Sequence, residues 1–166
     1  MGIIGVILLA GVLALTYLLC YAEGGLEDPE THIMYILVLF SVGLLFTTVL
    51  PATSIALEKE SQTWPLLLTT SIGEAEILTG KFGGVLRRCA PIWALLFLHV
   101  LVFAVLGTIH PAAIFHLGLV VAWVLVFLSC TGLYFSVRLK HTTTAVIANM
   151  GLAATLWAVV PFAWAI

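Results

Sequence analysis

Ser71, Gly73, Gly80 and Lys81 are the residue types of a phosphate-binding loop, in which backbone N–H groups cradle phosphates, a lysine reaches them and a hydroxyl holds magnesium. The spacing defeats that chemistry. Six residues separate Gly73 from Gly80 where the motif has four, and Phe82 stands where Ser or Thr must bind the metal. No zinc-protease His-Glu pattern and no pair of carboxylates within an apolar stretch occurs. Cys20, Cys89 and Cys130 are odd in number and far apart, so neither a disulfide framework nor a metal centre is expected, and they read as small apolar helix residues. His99 lies in the middle of a long apolar run and His116 near the start of another. An ionisable group in such a place is a functional candidate; the plainer alternative is a neutral imidazole bonded to a neighbouring carbonyl. His110 and His141 fall in loops or at boundaries. No catalytic, cofactor or metal site assembles, and the chain is not expected to be an enzyme.

What must position any functional residue is a set of apolar helices. Of the 166 residues 63% are hydrophobic and 8% charged, with mean hydropathy +1.23; a water-soluble domain typically carries about 25% charged residues. Segments 1–22, 31–57, 89–137 and 141–166 contain no Asp, Glu, Lys or Arg. A helix needs roughly 20 residues to cross the hydrocarbon core, so three of these hold one crossing each. The 49-residue stretch holds two, with Gly107-Thr108-Ile109-His110-Pro111 as the turn. The expected fold is an all-α integral membrane protein of about five spans, 3–22, 33–52, 89–107, 112–137 and 142–164, forming a single domain over 1–166. The first segment lacks a positive n-region and is expected to stay as a span rather than be cleaved.

Cations give the orientation, because Lys and Arg accumulate in cytoplasmic loops. Lys59, Lys81, Arg87 and Arg88 share one loop, Arg138 and Lys140 another, and two spans separate the loops. Both therefore face the cytoplasm, the N-terminus is inside, and the loop with Glu23, Glu27, Asp28 and Glu30 is outside. A net charge of −2 offers no basic face for nucleic acid. On the last helix Thr144, Ala148, Gly151, Thr155 and Ala158 recur at helical spacing; on the one before, Gly118, Ala122, Ser129, Gly132 and Ser136 nearly do. Small residues permit close helix packing in lipid, where no hydrophobic drive exists. A static bundle seam is the expected use, a moving interface the alternative. Asn149 beside the stripe is expected to donate an interhelical hydrogen bond.

Residues 53–88 hold eight of the fourteen charges. Nothing in Ser54–Glu60 breaks a helix, so the second span is expected to continue about 15 Å past the surface. Trp64-Pro65 marks a restart, and Ser71-Ile72-Gly73-Glu74 forms a capping box opening a further short helix towards Gly80-Lys81. Such short helices cannot bury their apolar faces alone; they lie on the bilayer, dock on a partner, or both.

Glu58-Lys59-Glu60-Ser61-Gln62-Thr63, then Leu66-Leu67-Leu68-Thr69-Thr70, Glu76-Ile77 and Gly80-Lys81, resembles the loop after the second span of type-2 ABC transporter permeases. That pattern reads approximately E-[RK]-E-x-G-T-x-x-x-L-L-x-[ST]-P-x-x-x-x-E-I-x-x-G-K. It matches without a gap over residues 58–81, with Gln62 in place of the usual Gly and Ser71 in place of the usual Pro. The resemblance implies short cytoplasmic coupling helices seated on a separate ATP-binding-cassette ATPase, with Glu58, Lys59, Glu60, Thr63, Leu66, Leu67, Thr70, Glu76, Gly80 and Lys81 at or beside the contact. It implies that the partner binds ATP and magnesium, that a second permease subunit completes the path as a homo- or heterodimer, and that the chain is an exporter subunit in a bacterial inner (cytoplasmic) membrane. Family members usually have six spans where five are expected here. The competing reading is a non-transporting membrane scaffold that recruits a cytoplasmic partner through loop 53–88.

Overall fold

The computed structural model describes residues 3–64, 69 and 73–159, and every regular element among them is helical. Helix α1 spans Ile3–Ala22. A 3-10 turn at Gly25–Glu27 leads to α2, Pro29–Ser54, and to the five-residue α3, Ala56–Glu60. Then come α4, Glu74–Val105, α5, Ala112–Arg138, and α6, Thr142–Ala154, which passes into a π-helical turn at Thr155–Val159. Among the described residues three helical stretches, Pro29–Glu60, Glu74–Val105 and Ala112–Arg138, are long and apolar enough to cross a membrane.

One expectation is revised. The short helix towards Gly80-Lys81 and the following span form a single 32-residue helix, α4, that starts after Gly73. Gly73 O accepts the N–H groups of Glu76 and Ile77, both at 3.0 Å, which opens the first turn. Glycines at 80, 83 and 84 weaken a helix without stopping it, and Ile77, Val85 and Cys89, four or eight residues apart, give one buried face through that stretch. Ser71, the expected cap, lies outside the described residues, as do Pro65, Leu66, Leu67 and Thr70.

The chain divides into two compact units. Unit one comprises 1–43 and 89–122. Its core is Leu39, Ile92, Trp93, Leu96 and Val100, each at most 3% exposed. Gly43 packs closely there: a Cβ on it would stand 3.0 Å from the Trp93 ring. Unit two comprises 44–88 and 123–166. There Ala52, Ala56 and Ala145 are fully buried against Phe135, Leu139 and Val146.

Unlike a water-soluble protein, the chain carries many large apolar side chains on its outside, while several polar ones are buried beside the apolar core. Ile7, Leu8, Val12, Leu15, Leu18 and Leu19 of α1 are all more than half exposed, and so are Leu119, Trp123 and Val126 of α5. Thr47, Thr48, Ser129, Ser136 and Asn149 are buried. Aliphatic side chains outside and hydrogen-bonding ones inside suit helices packed in a hydrocarbon solvent.

Candidate functional site at the end of the second helix

The α2–α3 junction is built by hydroxyl groups. Pro51 brings no N–H to the helix, and the Ser54 hydroxyl donates to Pro51 O at 3.0 Å. The N–H groups of Ile55 and Ala56 turn away to Ser136 Oγ on α5, at 2.9 and 2.7 Å. A side chain inserted into the backbone ladder is a standard cause of a helix bend. Ser136, Ile55 and Ala56 are fully buried, so this hydroxyl satisfies two donors removed from water. Beyond it the helix resumes as α3, as the unbroken sequence from Ser54 to Glu60 leads one to expect.

Helix α3 is stopped by a Schellman turn. The Thr63 N–H donates to Glu58 O at 2.9 Å and the Gln62 N–H to Lys59 O at 3.2 Å, the paired bonds of that motif. The motif needs a left-handed residue just after the helix end, and Gln62 has φ 61°. Glycine takes that conformation freely, whereas other residues pay about 1–2 kcal/mol. Gln62→Gly is therefore expected to stabilise the turn by up to about 1 kcal/mol, read as a rise in the denaturation midpoint in detergent. An unchanged or lowered midpoint would contradict the assigned conformation.

The three charges of α3 each reach a different helix of unit two. Glu58 pairs with Lys81 of α4, both side chains about a quarter exposed, so solvent limits the pair to roughly 0–1 kcal/mol. Lys59 Nζ donates to Val137 O and, at 3.3 Å, to Leu139 O, placing an ammonium at the C-terminal end of α5. Glu60 accepts the Thr142 N–H at 2.8 Å and the Thr142 hydroxyl at 2.9 Å. Helix α6 has His141 as N-cap with no side-chain bond of its own, so Glu60 supplies the cap from 82 residues away. Lys59, Glu60, Gln62, Lys140 and His141 line an open cleft of about 470 Å³. Thr63 and Glu76 are exposed, Gly80 is exposed on α4, and Lys81 is held by Glu58.

The Thr142 bonds hold the Glu60 carboxyl below the ordinary carboxylate range, the backbone N–H contributing most, the hydroxyl next and neighbouring His141 less. A depressed carboxyl pKa stabilises the contact above the unfolded pKa, and that stabilisation is lost as pH falls through the folded one. Protection of the Thr142 amide, normalised to intrinsic exchange, should stay constant from neutrality to about pH 5 and fall below about pH 4. A Glu60→Gln variant keeping the same profile would refute this assignment.

Asn149 of α6 ties three helices together. Its Nδ2 donates to Thr48 O at 2.8 Å and Leu128 O at 3.3 Å, and its Oδ1 accepts the Thr131 hydroxyl at 2.8 Å. The expected interhelical donor is present. The face of α6 buried within the chain is Ala145, Asn149 and Ala153. Thr144, Gly151 and Thr155 are exposed and Ala148 is half-buried, so most of the small-residue stripe faces away from the chain; Ala158 lies in the π-helical turn.

The sequence singles out Glu58 and its partner Lys81, and Lys59 and Glu60 but not the groups these two meet. Val137, Leu139 and Thr142 sit at helix ends, where free carbonyls and N–H groups are the only signal. Compared with family models, curated proteins and solved structures, the chain matches none.

Proposed function

We propose that this chain is the permease subunit of an ABC exporter, moving a substrate across a cytoplasmic membrane with energy from a separate ATPase that docks on α3 and the turn after it. The observation that carries this reading is the backbone of Gln62. The permease pattern calls for glycine there, and the chain adopts the left-handed conformation that favours glycine although its residue is Gln. The position where the pattern has glycine coincides with the end of α3, which supports the reading.

The bonding of α3 supports the same reading. A lever must be stiff and attached to what it moves. Through Glu58, Lys59 and Glu60 this five-residue helix is fastened to α4, α5 and α6, so a push on the exposed Ser61–Thr63 turn reaches all three. In this account the chain crosses the membrane about five times with its N-terminus in the cytoplasm. ATP and magnesium are bound by the partner, and a second permease subunit, facing the exposed stripe of α6, completes the path.

The test is co-purification. The chain in detergent should retain an ATP-binding-cassette ATPase whose hydrolysis rises on adding the transported compound. A chain that retains a partner without any ATPase activity belongs to the scaffold class, and the proposal fails.

A further inference from the structure

Unit one carries a one-sided charge. Residues 1–43 and 89–122 include Glu23, Glu27, Asp28 and Glu30 and no Lys or Arg. All four acids fall between the end of α1 and the first turn of α2. Helix chemistry explains part of this: Asp28 Oδ1 accepts the Glu30 N–H at 3.2 Å, and acids suit the start of a helix. Glu23 has no such use. It follows the C-terminal end of α1, where the helix dipole favours a cation. The turn is held in place, because His32, buried near the start of α2, donates to Leu26 O at 3.0 Å.

Beside that turn lies a groove of about 380 Å³ between α1 and α2, which the short connection makes antiparallel. Leu9 and Val42 line the end away from the turn, Val38 the middle, and Thr16, Thr31 and Tyr35 the end nearest the acids. A Cβ on Gly25 would stand 3.9 Å from Thr31 Oγ1, so the turn adjoins that end directly. The groove is thus apolar along its length and acidic at one mouth.

We infer that this groove binds a single-chain amphiphilic cation, an alkylammonium compound with its chain along Val38 and its head between Tyr35 and the acidic turn. Charge and size select that occupant. Carboxylates that no Lys or Arg of the unit answers attract a cationic head, and an aromatic ring adds cation–π attraction. An anionic amphiphile would meet the same carboxylates with the wrong sign. The volume lies near the lower end of small-molecule pockets, roughly 300–1,000 Å³, which suits one chain rather than the two of a phospholipid. The assignment concerns binding and stands apart from the transport reading.

The full chain in an uncharged maltoside detergent is dialysed to equilibrium against radiolabelled octyltrimethylammonium, with octyl sulfate and octanol as anionic and uncharged probes. One equivalent of octyltrimethylammonium should bind above the detergent blank, and the other two at least ~10-fold more weakly. Val38→Trp fills the groove from an exposed position and should abolish that binding; Val126→Trp, also exposed but on α5, should leave it unchanged. Neutralising the turn by Glu23→Gln, Asp28→Asn and Glu30→Gln together should weaken it at least ~10-fold. Tyr35→Leu should weaken it about 3–10-fold and Tyr35→Phe should keep the parent affinity. Helical circular dichroism and a monodisperse elution profile identify variants that remain folded. Equal uptake of octyl sulfate or octanol, or undiminished binding in folded Val38→Trp or in the neutralised variant, would overturn the assignment. So would a parent chain that takes up no probe and elutes as a dimer, which would make a second copy the occupant, or one that takes up no probe as a monomer.

Discussion

Gly132→Ala should destabilise the protein by about 1–3 kcal/mol, and Gly132→Leu should keep folded protein from accumulating. A Cβ on Gly132 would stand 2.7 Å from Pro51 Cγ, 2.9 Å from Pro51 Cβ and 2.8 Å from Asn149 Nδ2. Neither neighbour can yield. Pro51 is a rigid ring inside α2, and the Asn149 amide is already committed to Thr48 O and Leu128 O. Moving Asn149 would strand two donors in the core, so relief of the clash costs hydrogen bonds worth about 0.6–1.7 kcal/mol in membrane helices. Gly118→Ala is the matched control. Its Cβ would meet Phe97 carbons at 4.0 Å, ordinary contact, and helix propensity alone favours alanine by up to about 1 kcal/mol. Opposite signs for the same substitution on one helix, read as unfolding midpoints in a denaturing-detergent titration, test the packing. Equal midpoints would show that α2, α5 and α6 do not meet at Gly132.

Reversing both charges, Glu58→Lys with Glu60→Lys, should lower substrate transport at least ~10-fold while the ATPase subunit continues to hydrolyse ATP. Both carboxylates hold the lever. Glu58→Lys faces Lys81 with a like charge, and Glu60→Lys puts a cation at the N-terminal end of α6, where the helix dipole favours an anion. Under the proposed permease role, a loosened α3 still binds the ATPase but no longer drives α4 and α6. Adding Lys81→Glu to Glu58→Lys restores an ion pair and should recover part of the transport, which a mere loss of partner charge would not. Unchanged coupling in the double reversal, or no recovery in the swapped pair, would remove α3 from the energy path.

The helices were legible because apolar helices long enough to cross a membrane exclude charge, and the four uncharged stretches mark them without reference to packing. Helix α3 was legible for a related reason: Ser54–Glu60 contains no breaker, so the helix resumes to Glu60. The bend at Ile55 was not, because it is made by Ser136, 81 residues away, whose hydroxyl in the sequence is only one more small residue on a stripe. The continuity of α4 was not legible, because the short helix was expected to lead only towards Gly80-Lys81; Gly80, Gly83, Gly84 and Pro91 are tolerated because one apolar face runs past them. His32 was overlooked because it adjoins the acidic loop, where a histidine reads as a boundary residue; its burial depends on Leu26, His99 and Phe103. The α6 stripe was visible but its direction was not, since the face that packs within the chain is set by Asn149 reaching Thr48 and Leu128.

The account rests on the turn after α3 lying in the cytoplasm at the end of a membrane-crossing helix. Gln62→Cys, placed in a chain whose Cys20, Cys89 and Cys130 are replaced by serine or alanine, puts one thiol on that exposed turn. A membrane-impermeant maleimide should label it in inside-out vesicles and fail to label it in intact cells. Labelling from the outside, or recovery of the chain in the soluble fraction without detergent, would contradict the account.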